Sequence, residues 1–222
     1  MNRSHSFRLV VSGEYACFTR PEMKVERVSY EVMTPSAARG ILEAVLWKPA
    51  IRWIVTRIDV MKPIHWVSLR RNEVASRISA GTVKTVMKKN AGRLGMYVDE
   101  GNTRQQRAGL FLRDVSYVIH AQFQMTDRAG KQDSIVKFEN MFRRRAERGQ
   151  CFHRPYLGCR EFAADFSLLS DDTPDPQKID LSKDLGWMLY DLDFAEKIPA
   201  PLFFHAVLEE GSLDLEKIEV RK

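Results

Sequence analysis

Apolar and polar positions alternate most clearly along 115–125, where Val115, Tyr117, Ile119, Ala121, Phe123 and Met125 interleave with Ser116, Val118, His120, Gln122 and Gln124. A period of two over that length predicts a strand with one face in the core and the other largely polar. Residues 6–12 repeat the pattern more briefly (Phe7, Leu9, Val11), and Gly13-Glu14-Tyr15 is expected to break it. Residues 20–30 read as a charged extended run, with Lys24, Glu26 and Tyr30 alternating with Val25 and Val28. From 51 to 60 the alternation Ile51, Trp53, Val55 changes phase to Ile58 and Val60. That shift predicts a bulge near Thr56-Arg57. Beyond Pro63, a short piece from Ile64 to Leu69 is expected to pair back as a hairpin.

Two segments change the period to that of a helix. Ala38, Ile41, Leu42 and Val45 recur at helical spacing behind Thr34 as N-cap and Pro35 at the first helical position, and Lys48-Pro49 ends the run. The second helix is expected from about Ser134 to Arg148, with Ile135, Phe138, Met141 and Phe142 on its buried stripe and Gly149 as C′ residue. The order strand, helix, strands, long strand, helix is that of an α+β protein with a ferredoxin-like βαββαβ unit. Short strand candidates at 161–168, 186–193 and 201–209 follow, around a polar loop at 171–176. The expected division is therefore a ferredoxin-like domain over 1–160 and a small antiparallel β-subdomain over 161–222. Residues 70–107 lack a long apolar face and read as an exposed, basic, partly flexible insertion, with a short helix around Val83, Val86 and Met87.

Charge sharpens this division. The chain of 222 residues has a net charge of +6, but residues 1–160 hold 29 Lys/Arg against 14 Asp/Glu, and residues 161–222 hold 6 against 15. A basic body suggests a polyanionic partner; the alternative is that the two parts neutralise each other across an internal interface. No apolar run approaches the length of a membrane span, and the first residues lack the apolar stretch of a signal peptide. Three cysteines, Cys17, Cys151 and Cys159, do not make a disulfide framework, so a reduced, cytoplasmic protein is expected.

Several longer stretches carry a resemblance: RPEMKVERVSY near the start, TPSAARGILEAVLWKPAIRW, RRNEV at 70–74, QQRAGLFLRDVSYVI at 105–119 and YLGCREF at 156–162. In this order, over nearly the whole chain, they resemble the CRISPR-associated Cas family 5 proteins of type I-C systems. The resemblance implies an RRM-like ferredoxin domain with a small C-terminal β-domain. It also implies cleavage of the CRISPR precursor transcript within its repeat hairpin, without metal or cofactor. The protein then retains the 5′ handle of the guide RNA, beside other Cas subunits of the surveillance complex.

Metal-free RNA cleavage uses the 2′-hydroxyl as nucleophile. It needs a group to take that proton, a donor for the leaving 5′-oxygen, and a cation beside the phosphorus. The resemblance implies a tyrosine just before Trp47-Lys48-Pro49 and a Lys-His pair ahead of the second helix. This chain has Leu46 and Lys131-Gln132 there. Lys131 remains as phosphate-stabilising cation, and Tyr30, His153 and His120 are the substitutes for proton transfer. Candidate RNA-backbone contacts are Arg39, Lys48, Arg70, Arg71, Arg143, Arg144, Arg145 and Arg148, since Arg grips phosphate bidentately. Cys151, His153 and Cys159 have no common zinc spacing. Two other readings stay open: a cleavage-inactive scaffold that binds the RNA handle, and a nonspecific DNA-binding or DNA-cutting protein.

Overall fold

The computed structural model describes residues 3–97, 99, 103–195 and 199–222. Strands β1 (Phe7–Ala16), β2 (Ile51–Val60), β4 (Arg104–Met125) and β5 (Asp165–Leu168) pair antiparallel in the order β5-β1-β4-β2. With helices α1 (Pro35–Val45) and α3 (Ile135–Glu147) as the connections, this is the ferredoxin-like arrangement. Phe7 and Trp53 from the sheet meet Phe142 of α3, with ring centroids 4.8 Å and 4.7 Å away, and Phe123 meets Phe138 of the same helix at 6.4 Å. That aromatic cluster fixes the seat of α3.

The helices end where local chemistry says they should. Thr34 Oγ1 accepts from Ala37 N at 3.3 Å and Ser134 Oγ from Lys137 N at 3.2 Å. Gly149 takes φ +63°, the left-handed turn that closes α3. The expected bulge is present, as the β2–β4 register shifts between Val55 and Arg57.

Four expectations are corrected. Gly13 does not break β1, which runs on to Ala16. A Cβ at Gly13 would stand 2.5 Å from Leu157 Cδ1, so the glycine serves close packing, not a turn. The charged run at 20–30 is a set of turns, closed by Arg20 N donating to Val28 O and carrying only isolated bridges. The piece after Pro63 does not pair back on β2. It becomes β3 (His65–Val74), which pairs with the first half of β4 from His65↔Arg113 to Val74↔Arg104. The basic insertion thus begins and ends in a two-stranded arm that includes Arg70, Arg71 and Arg107, and the short helix expected within it is α2 (Ala80–Lys89), which has no buried residue.

The fourth correction concerns the C-terminal part. Its first strand candidate is β5, an edge strand of the main sheet, and β8 (Ser212–Asp214) pairs with β2 at the other edge. The separate sheet contains β6 (Lys183–Asp193), β7 (Ala200–Leu208) and β9 (Val220–Arg221). Met188, Phe204 and Leu208 of that sheet belong to the same hydrophobic core as Leu9, Ile41 and Phe142.

Candidate functional site

The last turn of α1 is a junction. Arg145 Nη1 donates to Val45 O and Trp53 Nε1 to Leu46 O, both at 2.9 Å, so the final carbonyls of the helix are satisfied. Phe152 N donates to Ala44 O at 2.8 Å, which lays the segment after α3 against the same turn. Beyond the turn, Trp47 and Lys48 are exposed. On their far side Thr126 N donates to Ala50 O at 2.9 Å and Thr126 Oγ1 to Pro49 O at 2.6 Å. These bonds fasten the loop that leads to Lys131. The Asp133 carboxyl is held below its usual range, first by Lys137, then by the Gly130 N–H, with the charge of Lys48 adding to both.

A strip of surface therefore runs from Lys131 and Lys48, past Trp47, to Phe152 and His153. Lys131 is exposed, and none of the described residues partners it. His153 is exposed too, in a cleft of about 380 Å³ whose walls include Ser36, Gly40 and Tyr156. Its ring lies 6.2 Å from that of Tyr156, a residue absent from the candidates drawn from sequence. Only its position three residues after His153 hinted at the pairing. Lys131 and His153 flank opposite ends of the thirteen-residue α3. A helix of that length spans about 20 Å, and each residue sits in the loop at its own end.

Burial removes other candidates. Tyr30 is 2% exposed, and burial, with Glu22 adding, raises its phenol above the ordinary value. The ring also lies under Arg20, whose guanidinium carbon is 4.5 Å from its centroid. A phenol so enclosed does not reach an RNA backbone. Leu46 is fully buried, so its position faces the core. His120 is buried with Nε2 2.7 Å from Asp59 Oδ2.

The arginines divide into two groups. Arg39 bonds Glu43 and Asp191 at 2.8 Å each, Arg143 bonds Asp171 at 3.0 Å and covers Phe7, and Arg145 holds α1. Arg71 pairs with Glu161 and lies over Phe111. These four are structural ties rather than open RNA contacts. Arg70, Arg144 and Arg148 are exposed and have no partner among the described residues.

Two further clusters are already satisfied. Asp59, His120 and Asp175 bring ligand-type atoms within 4.8 Å of one another. Arg57 Nη2 sits among them at 3.0, 2.9 and 3.1 Å, so the cation there is a guanidinium. Cys159 turns to Cys17, Thr19 and Arg27, away from the zinc-like grouping with His153. Gly158 beside it has φ +81°, and a Cβ there would collide with Cys17 O at 2.1 Å. Only glycine lets this loop lie so close to the end of β1.

Residues 7–216 match the family described as CRISPR-associated protein (Cas_Cas5). The chain belongs to the Cas5d family. It is 49% identical over 216 residues, 96% of this chain and 95% of the other, to "CRISPR pre-crRNA endoribonuclease Cas5d" of Mannheimia succiniciproducens. It is 43% identical to the protein of the same name from Thermus thermophilus, covering 94% of this chain and 90% of that one. A crystal structure of a CRISPR-associated protein superposes with a TM-score of 0.70 at 23% identity, covering 100% of this chain and 99% of that one. The fold shared with that structure thus extends through the whole chain, the C-terminal sheet included. No helix among the described residues is long and apolar enough to cross a membrane.

Proposed function

We propose that this Cas5d chain is a metal-independent endoribonuclease that cuts CRISPR precursor RNA within the repeat and keeps the resulting 5′ handle. The observation that carries this is 49% identity, across 96% of the chain, to a protein named for that activity. The reading extends to work in the cytoplasm alongside other Cas subunits of a surveillance complex.

The chemistry is placed at the His153 end of the strip. Transesterification forms the 2′-O–P bond and breaks the P–O5′ bond, with one proton leaving the 2′-hydroxyl and one arriving at the 5′-oxygen. His153 and Tyr156 are exposed groups that can move protons, whereas the Lys131 end offers buried Leu46 and Gln132. The N-terminus of α1, at Ser36 and Ala37, borders the same cleft and favours the negative charge that gathers at phosphorus. Lys131 and Lys48 then grip the RNA backbone farther along. This revises the assignment of Lys131 from charge stabiliser at the cut to backbone contact.

Incubation of purified protein with cognate repeat RNA in EDTA tests the reading. One cut leaving a 2′,3′-cyclic phosphate is expected. The loss of a tyrosine position at Leu46 favours a second reading, a scaffold that binds the handle without cutting, and tight binding with no product would select it. Equal affinity for unrelated duplex DNA at matched salt would point to nonspecific backbone binding.

A further inference from the structure

We propose that Trp47 and Phe152 form a platform on which unpaired bases of the RNA stack, between the cation pair at Lys48 and Lys131 and the cleft at His153. The inference rests on the RNA-handling reading and adds the part of the ligand that this surface takes. Trp47 is 60% exposed and Phe152 is 89% exposed, large rings that folding has left in water. The bond from Phe152 N to Ala44 O ties the Phe152 backbone to a residue three positions before Trp47. Three residues of chain span no more than about 11 Å, so the two rings share one neighbourhood.

The surroundings select the occupant. Arg145 reaches Val45 O, which brings the last turn of α3 against the same spot, and Gln150 N bonds Arg145 O. Arg144 and Arg148, one helical turn apart, are exposed and unpartnered among the described residues. Lys48 adjoins Trp47 in the chain. Exposed rings flanked by free cations suit a ligand with flat apolar faces on a polyanionic backbone, which is single-stranded nucleic acid. An apolar protein partner would leave these cations without counter-charge. Paired bases hide their faces, so the nucleotides here are those outside the hairpin stem.

The test compares two oligomers of equal length and charge, a single-stranded repeat RNA and an abasic backbone, by fluorescence anisotropy over a range of salt. Trp47→Ala and Phe152→Ala are each expected to weaken binding of the RNA about fivefold or more, the loss of one base–aromatic stack. Neither should change affinity for the abasic oligomer or the slope of log affinity against log salt. Trp47→Phe should keep most of the affinity, and circular dichroism should show all variants folded. Wild-type protein that binds both oligomers equally overturns the platform. So do aromatic variants that bind RNA normally but no longer associate with other Cas subunits, because the face is then a protein contact. Wild-type cleavage with unaltered aromatic variants removes the platform alone, whereas a wild-type chain that neither binds nor cuts repeat RNA removes the function reading with it.

Discussion

The seam along the C-terminal segment and the strip around α1 and α3 use the same side chains to opposite ends. At the seam, Arg8 and Arg57 share Asp175, Arg39 holds Asp191, Arg143 holds Asp171, and Arg27 with Arg71 share Glu161. Along the strip, Lys131, Arg144 and Arg148 make no ion pair among the described residues, although Glu147 lies between the two arginines in the chain. The arm tip is similar in composition, with five Lys/Arg and no Asp/Glu in residues 75–97. The neutralising reading of the charge imbalance is therefore realised in part. The acidic quarter pairs with the arginines it packs against, and the cations it does not reach stay exposed. A basic count in sequence overstates the basic surface by the share spent in the seam.

The largest effect expected from the strip is on chemistry. His153→Ala should lower single-turnover cleavage of repeat RNA by about a hundredfold or more, the usual worth of a proton-transfer group. Lys131→Ala should lower it by less than about tenfold, and raising the RNA concentration should recover much of the rate, as for a lost backbone contact. The reverse ranking in the same assay would move the scissile phosphate to the other end of α3.

A middle-sized effect separates the two regions directly. Replacing both Arg144 and Arg148 by alanine should reduce the salt slope of RNA binding by about two, one per phosphate contact. Thermal stability should hardly move, since exposed positions away from structural features change it by about 0.5 kcal/mol or less. Arg39→Ala should do the opposite. It frees two half-buried carboxylates, Glu43 and Asp191, and should cost about 1–2 kcal/mol in urea denaturation while leaving the salt slope alone. A reduced salt slope in Arg39→Ala with unchanged stability would erase the distinction between seam and strip.

Much of the scaffold was legible because its signals are local. The cap at Thr34, the helix start near Ser134, the closing Gly149 and the phase change at Thr56 each report on a few neighbouring residues, and each stands in the structure. The arm escaped because no residue of β3 is fully buried and its half-buried face passes from Val67 and Leu69 to Arg71 and Glu73, so the apolar alternation stops midway. β5 looked like part of a separate unit because its partner β1 lies more than 150 residues earlier. The site was less legible for the same reason. Tyr30 belongs to a charged run, yet the turns at 20–28 fold it into the core beside Leu189. Trp47 and Phe152 become neighbours only through one backbone bond across 108 positions of chain. Long-range contacts decide which side chains are ties and which are free, and periodicity does not encode them.

The smallest effect tests the seam through acid. Burial alone would raise the Asp59 pKa, but hydrogen bonds from His120 and Ser212, with the charges of His120 and Arg57, bring it below the ordinary value. A carboxyl with a depressed pKa in the folded state stabilises the protein above its unfolded pKa, and that contribution is lost as pH falls through the folded one. Asp59→Asn removes the titration while keeping the size of the side chain. Near neutral pH the variant should be less stable than wild type in urea denaturation, and the gap should close between about pH 5 and pH 2. Glu161, whose pKa is also lowered, shares no partner with Asp59, so it moves the two curves together and leaves the gap to Asp59 and the Arg57 and Asp175 it is coupled to. A gap that stays constant into acid would mean that Asp59 contributes by shape and neutral hydrogen bonding, and that the seam at this point is not held by charge.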